Sequence, residues 1–363
     1  MCGNLLPDIR SMTKPDLEHF FLRHGEKKFR TTQVYEWLWK KSCHSFEEMT
    51  SLPKDVRHML ENHFTFHTAV SETQQNSSDG TVKTLFRLHD GFVIEAVLIP
   101  SGDRSTVCIS SQAGCALGCK FCATGQIGFL RNLTTGEIFD QVTAMHLAGA
   151  TMADPGPAEI QTGSRISNIV FMGMGEPFLN YDNVLGAISK IVSPDGYGMS
   201  PQRITVSSVG IPKMIKKMAE DDPGYHFALS LHAATDEKRD QIIPLNRKFP
   251  IGDLTEALKY YHKKTGKRFT IEYILFGGFN DSVADAKDLA LFCKSFPVKI
   301  NIIEFNPVNG SGFIKSDPDK TRAFVGFLET RNLIVNIRQS RGKDIDAACG
   351  QLAGNPLKVK RKI

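Results

Sequence analysis

No run of apolar residues in this chain approaches the 18 or so needed to cross a bilayer. The first residues, "MCGNLLPDIRSMTKPDLEHFF", also lack the uninterrupted apolar core of a secretory signal. A cytoplasmic protein without a membrane partner is expected. Charge of one sign is not in large excess: the net is only +5. Four of those positives, Lys358, Lys360, Arg361 and Lys362, fall in the last six residues. The default reading of such a block is a solvated tail; the sharper one is contact with a phosphate backbone. No internal repeat or low-complexity tract occurs beyond an alternation of strand and helix. No disulfide scaffold is needed either, because 363 residues, 41% of them apolar, supply a sizeable core. The eight cysteines are therefore read as metal-binding or catalytic where they cluster. Cys2, Cys43 and Cys293 stand apart from any motif, and Cys293, in the helical pattern "AKDLALFCKSF", reads as a core thiol.

What is present divides into two patterns. Residues 14 to about 66 read as short helices: "PDLEHFFLRHG", "TTQVYEWLWKK" with Thr31 or Thr32 as N-cap, and "SLPKDVRHMLENHF" with Pro53 in its first turn. "TVKTLFRLHDGFVIEAVLIP" follows, two β-rich runs meeting at the hairpin signal Asp90-Gly91. From about residue 104, strand and helix alternate. The strands "STVCISS", "ISNIVFMG", "RITVSSVG", "HFALSLHA", "RFTIEYILF" and "VKINIIEF" are nearly continuous apolar runs, as in sheets covered on both faces, and "LIVNIRQ" adds a last one. Six βα units predict an α/β fold, a partial (β/α)6 TIM-like barrel. The expected domains are a helical accessory domain over 1–70, a β-hairpin connector over 71–103, the partial barrel over 104–340 and a tail over 341–363.

Chemistry in such a sheet collects where strands end. The run "CALGCKFCATG" lies there and places Cys115, Cys119 and Cys122 in a C-x3-C-x2-C pattern. Three thiolates bind zinc with a fourth ligand from elsewhere, or hold an iron–sulfur cluster with one iron left open. A zinc knuckle pairs two C-x2-C arms and no second arm exists, whereas Gly114, Gly118 and Gly125 suit a loop folded round a bulky cluster. A four-iron cluster comes first, zinc second. With Phe121 before the third cysteine, the pattern resembles the signature of the radical S-adenosylmethionine (SAM) enzymes. In that superfamily the open iron binds SAM, and the reduced cluster cleaves it to a 5′-deoxyadenosyl radical. Other turns on the same rim suit a SAM ligand. Gly173 and Gly175 of "GMGEP" permit close approach, Glu176 can pair with an ammonium group, and Ser207, Ser230, His232 and Asn306 offer hydrogen bonds. Each of these also has a plain reading as a structural turn residue.

"SFEEMTSLPK", "CISSQAGCALGCKFCATGQIGF", "FMGMGEP", "SLHA" and "DIDAACGQLAG" together resemble one family, from about Phe29 to Gly354. It is the RlmN-type dual-specificity adenine methyltransferases. The resemblance implies methylation of carbon 2 of adenine in 23S rRNA, at the peptidyl transferase centre, and in tRNA, just 3′ of the anticodon. It implies that Cys115, Cys119 and Cys122 hold a 4Fe-4S cluster. Gly175, Glu176, Ser207, Ser230, Leu231, His232 and Asn306 would line the SAM site, with two SAM used per turnover. Glu95 matches the proton acceptor; its plain alternative is a charge on the solvent face of a hairpin strand. Cys349 matches the methyl carrier and Cys108 its resolving partner, the two ending as a transient disulfide that an outside reductant resets. The helical N-terminal domain would help bind RNA, and an external electron donor and a monomeric enzyme are expected. The Cfr-type methyltransferases, which modify carbon 8, look similar at the cluster and tail cysteine; Pro177 favours the RlmN side. A third reading, a metal-bound RNA-binding module without catalysis, leaves Cys349, Glu176 and the six βα units unexplained. The loop after Thr151 is assigned no function.

Overall fold

A computed structural model describes residues 6–151 and 166–353 of the chain. Cys2, the loop after Thr151 and the basic block from Lys358 to Lys362 lie outside the described residues.

The N-terminal helices are α1 (Lys14–Arg23), α2 (Phe29–Tyr35) and α3 (Lys54–His63). A capping box between Thr13 and Asp16 starts α1. The second helix does not begin at a threonine cap. It starts at Phe29, and Thr31 is buried inside it. It then runs into a wider π turn over Glu36–Lys40. The extra residue rotates Trp39 inward to 2% exposure, while Trp37 stays at the surface and donates to Ser51 Oγ at 2.7 Å. α3 follows Pro53 and buries Val56 and Leu60.

The segment expected as a hairpin connector is not free-standing. Strands β1 (Val70–Asn76), β2 (Val82–Arg87) and β3 (Val93–Ser101) form an antiparallel meander. β3 also pairs with β4 (Arg104–Cys108), so the meander continues directly into the main sheet. The hairpin turn at Asp90-Gly91 is as expected, with Gly91 at φ +85°. β1 was invisible to pattern reading because "VSETQQN" is exposed throughout and joins the edge through its backbone.

After β4 come β5 (Gln112–Gly114), α4 (Ala123–Ile127), β6 (Phe129–Asn132), α5 (Thr135–Thr151), β7 (Asn168–Phe171), α6 (Tyr181–Val192), β8 (Ile204–Ser208) and α7 (Pro212–Asp221). The remaining elements are β9 (His226–Ser230), α8 (Asp236–Ile242), α9 (Ile251–Thr265), β10 (Phe269–Leu275), α10 (Val283–Cys293), β11 (Val298–Glu304), α11 (Pro318–Glu329) and β12 (Ile334–Arg338). β4 and β7 to β12 run parallel in chain order, joined by helical crossovers, while β5 and β6 pair apart as a small ribbon. β1 and β12 end the ten-stranded sheet, which does not close on itself. It nevertheless curls, since Cys108 at the end of β4 and Arg338 at the end of β12 line one cavity. This is the partial barrel expected. Cys293 is a core thiol, pushed up to about 12 by burial.

A buried ion pair locks the N-terminal segment to the barrel. Arg10 Nη1 meets Asp140 Oδ1 of α5 at 2.5 Å, with both side chains almost fully buried. Asp140 also accepts from Ala69 N at 2.9 Å and lies 3.3 Å from His44 Nε2. Burial raises this carboxyl, but Arg10, His44 and the Ala69 N–H together hold it below 3.8. Its share of stability is therefore present above 3.8 and is lost as pH falls through the lower folded value. Asp140→Ala removes the short-range partner of the buried Arg10 guanidinium, leaving it Asp8 at 3.7 Å and the His67 carbonyl, and is expected to cost about 3 kcal/mol in urea unfolding, the low end for a broken buried pair. A loss below about 1 kcal/mol, the scale of a surface pair, would show that no such lock exists.

Candidate active site

β4 leads through Ser110 and Ser111 into β5, and the cysteine loop follows as the connection across the β5–β6 ribbon. Gly114, at φ +71°, makes that turn; a Cβ there would sit 1.9 Å from Gly128 O. Cys115 N donates to Gly128 O at 2.9 Å, and Cys122 N to Cys119 O at 3.2 Å. All three thiols line a cavity of about 240 Å³ at the carboxyl ends of the parallel strands. Burial, with Glu176 and Cys122 nearby, pushes the Cys115 thiol up to about 12. Burial and the neighbouring thiols drive Cys119 well above its ordinary value. Thiolates so close together in apolar surroundings need positive charge among them, which suits a metal centre. Among the described residues no three His, Cys, Asp or Glu side chains are grouped for a single ion. A cluster does not ask for that, because its thiolates attach to different irons.

The "GMGEP" turn lies beside the loop. Gly175 is at φ +96°, and a Cβ on it would meet Gln112 Cβ at 2.5 Å. Glu176 is 3% exposed. Its Oε1 accepts from Phe178 N at 2.9 Å and its Oε2 from Val209 N at 3.1 Å, which ties the ends of β7 and β8 together. With the Ser208 hydroxyl as a third donor, the carboxylate still keeps a lone-pair position for a ligand ammonium. Burial raises this carboxyl, opposed by those N–H groups. Ser207 Oγ and Ser230 Oγ lie 3.1 Å apart on the same wall. His232 adopts φ +58° and is buried; burial and Arg239 lower its imidazole to about 3, so it is neutral. Its Nδ1 accepts from Ile274 N at 3.1 Å, which leaves Nε2–H as donor.

The tail folds back over the rim. Gly350 O accepts from Ala123 N at 2.8 Å, and Leu352 O from Thr124 Oγ1 at 2.6 Å. Asn306 Nδ2 reaches Cys349 O at 3.5 Å. Asp344 accepts from Ser77 Oγ at 2.5 Å and Ser78 N at 3.0 Å, so the β1–β2 turn holds the tail's start. Cys349 is exposed and lines the cavity. Cys108 faces it from β4, buried and pushed up to about 12 by burial, with the Cys349 thiol adding to the rise. Both thiols are free.

Three of the expected site residues do not line this cavity. The Leu231 side chain is fully buried in the core, and its backbone touches the site's scaffold, through O from Arg239 Nε at 3.1 Å and through N to Glu272 O at 3.1 Å. Asn306 sits behind the tail. Glu95 is not on a solvent face: it is 6% exposed, 3.6 Å from Lys83 Nζ, and accepts from Ala353 N at 2.9 Å. The plain alternative for Glu95 is thereby overturned.

Residues 7–66 match the family described as the ribosomal RNA large subunit methyltransferase N-terminal domain, and residues 109–290 match the radical SAM superfamily. A crystal structure of a radical SAM methyltransferase from Sphaerobacter thermophilus superposes with a TM-score of 0.88, at 37% identity, covering 96% of this chain and 99% of that one. A Christiangramia forsetii protein named "Probable dual-specificity RNA methyltransferase RlmN" is 49% identical over 95% of this chain and 96% of its own. The chain belongs to the RlmN family. A Flavobacterium johnsoniae protein of the same name is 48% identical over 97% of this chain and 98% of its own. As a radical SAM enzyme, this RlmN-family chain uses a 4Fe-4S cluster and SAM.

Two further groups bear on this cavity of the RlmN-family chain and carry no short motif. Arg239, 1% exposed, donates to Leu231 O at 3.1 Å, Asn246 Oδ1 at 2.7 Å and Val209 O at 2.5 Å, pinning the turns after β8 and β9. Glu272 lines the cavity from β10. Its signal was present in the sequence: a lone carboxylate inside the apolar run "RFTIEYILF".

Proposed function

We infer that this chain methylates carbon 2 of adenine in 23S rRNA and in tRNA, with Cys349 carrying the methyl group and Cys108 releasing the product. The observation that carries the reading is that both thiols open on the same cavity as the three clustered cysteines. Carbon 2 is an electron-poor C–H carbon, so direct polar transfer from SAM has no nucleophile to use. Cys349 supplies one, and its thiolate takes the methyl group first. Cys115, Cys119 and Cys122 would hold the cluster, which supplies the electron that cleaves a second SAM. Glu176, Ser207, Ser230 and His232 would bind SAM, with Gly175 giving it room, Asn306 steadying the tail and the Leu231 backbone shaping the turn. One hydrogen atom of the Cys349 methyl group would pass to the 5′-deoxyadenosyl fragment of that second SAM, and the methyl carbon then bonds to carbon 2. Loss of the carbon 2 proton, for which Glu95 under the tail is the acceptor, and of one electron, which the cluster would take back, leaves a closed-shell adduct bonded from Cys349 sulfur through the new carbon to the base. Cys108 thiolate attacks that sulfur; the carbon departs with the electron pair and takes a proton, and a Cys108–Cys349 disulfide remains. An external reductant resets it, and an external donor supplies the cluster electron. The N-terminal helices support RNA binding in a cytoplasmic monomer. Among the described residues no helix is long and apolar enough to cross a membrane.

Digestion of RNA treated with the reconstituted enzyme is expected to yield 2-methyladenosine by chromatography and mass spectrometry. 8-Methyladenosine in its place would move the chain to the Cfr-type reaction.

A further inference from the structure

At the β10–β12 end of the cavity lies a polar row that the chemistry above does not use. Glu272 is 3% exposed and lines the cavity. Its Oε1 accepts from Asn301 Nδ2 at 2.8 Å, its register partner on β11. Asn301 Oδ1 accepts in turn from Asn336 Nδ2 at 3.3 Å on β12. Three strands thus fix the orientation of one carboxylate. Its other oxygen, Oε2, is buried without a hydrogen-bond partner in the protein. Arg338 Nη1 lies 3.9 Å away, beyond hydrogen-bond reach. A buried acceptor left open is costly, so an oriented one at a cavity wall calls for a donor from a ligand. Burial raises this carboxyl, with Arg338 and Asn301 pulling it back, and in either protonation state an oxygen remains to accept.

Cys349 and Cys108 both sense the Arg338 charge, and Cys349 senses Glu272, so the row lies beside the methyl carrier. A base that brings its carbon to Cys349 therefore turns part of its edge toward Glu272 and Arg338. Adenine offers an exocyclic amino donor flanked by ring-nitrogen acceptors; guanine has an oxygen at the same position. We propose that Glu272, held by Asn301 and Asn336, reads the target base as adenine: Oε2 accepts from the exocyclic amino group and Arg338 donates to a neighbouring ring nitrogen. Guanine would set oxygen against oxygen there. The proposal rests on the reading that this cavity receives the target base at Cys349.

The test uses the reconstituted holoenzyme and two RNA substrates, with adenosine or purine riboside at the target position. Purine riboside keeps the carbon 2 hydrogen and lacks only the amino group. For the unaltered enzyme, kcat/KM is expected to fall about 10- to 100-fold on the purine RNA, the scale of one lost base contact. Glu272→Leu should lower the rate on adenosine and bring the two RNAs to within about threefold of each other, well below that contact's worth. Glu272→Gln, which keeps an amide oxygen, should restore part of the discrimination. Equal rates on both RNAs with the unaltered enzyme would overturn the proposal without any variant. So would Glu272→Leu that discriminates as before, or that weakens SAM binding with discrimination unchanged, which would assign Glu272 to the cofactor. If the unaltered enzyme failed on adenosine RNA as well, the methyltransferase reading itself would fall.

Discussion

A Cys108→Ala protein should stop part-way and accumulate RNA covalently bound through Cys349. Cys349 can take a methyl group, be activated and join carbon 2 without help from Cys108. It cannot leave, because breaking its bond to the new carbon needs a second sulfur to attack. The adduct should appear as a band that survives denaturation and disappears on ribonuclease treatment. Methylated product should fall to background. Cys349→Ala should give neither adduct nor product, although SAM can still be cleaved unproductively. The contrast is more informative than either loss, since any damaging substitution abolishes turnover. Cys108 faces the cavity and feels the Cys349 thiol, which places it within range for the role. If Cys108→Ala kept its iron but gave no adduct and no product, Cys108 would be a core residue of β4 and the release step would belong to another group.

Cys119→Ala should empty the site of iron and abolish SAM cleavage. Cys119 is the middle thiol of the loop and is 7% exposed. Its neighbours cannot replace it: Cys115 and Cys122 line the same cavity as ligands in their own right, and Cys349 is held by the tail's own bonds to Asn306, Ala123 and Thr124. Changes to groups that merely support metal ligands cost about 10–100-fold in affinity or activity, and removal of a ligand should exceed that. Iron content and 5′-deoxyadenosine formation, measured on protein purified and reconstituted without oxygen, are the readouts. Full iron with normal SAM cleavage would show that the loop does not hold the cluster.

The cysteine loop, the glycine turn at Gly175 and the six crossovers were legible because each is local. Close cysteine spacing, a positive-φ glycine and long apolar runs all act within a few residues of themselves. The position of residues 342–353 after the last strand left them free to fold back, but the bonds that hold them were not legible, since those from Ala123, Thr124 and the Ser77 turn span most of the chain. β1 was missed because a polar edge strand has no alternation to read. For Glu95 in "VIEAVLIP" the pattern alone left a surface charge as the plain alternative to the proton acceptor, and it is buried where the returning tail meets it at Ala353. Thr31 had the right chemistry for a cap, yet the preceding residues had already entered the helix. Arg239 and Glu272 carry no motif. They matter through carbonyls and amides that four different strands and turns bring to them.

The claim at the centre of this account is that the methyl group passes through Cys349 and loses a hydrogen there before reaching the base. SAM whose methyl carries three deuterium atoms tests it directly, with the mass of the methylated adenosine as readout over multiple turnovers. Removal of one deuterium at Cys349, and its replacement by a proton on release, leaves a methyl group with two. A product retaining all three would mean that the methyl was transferred intact, and would contradict the route through Cys349.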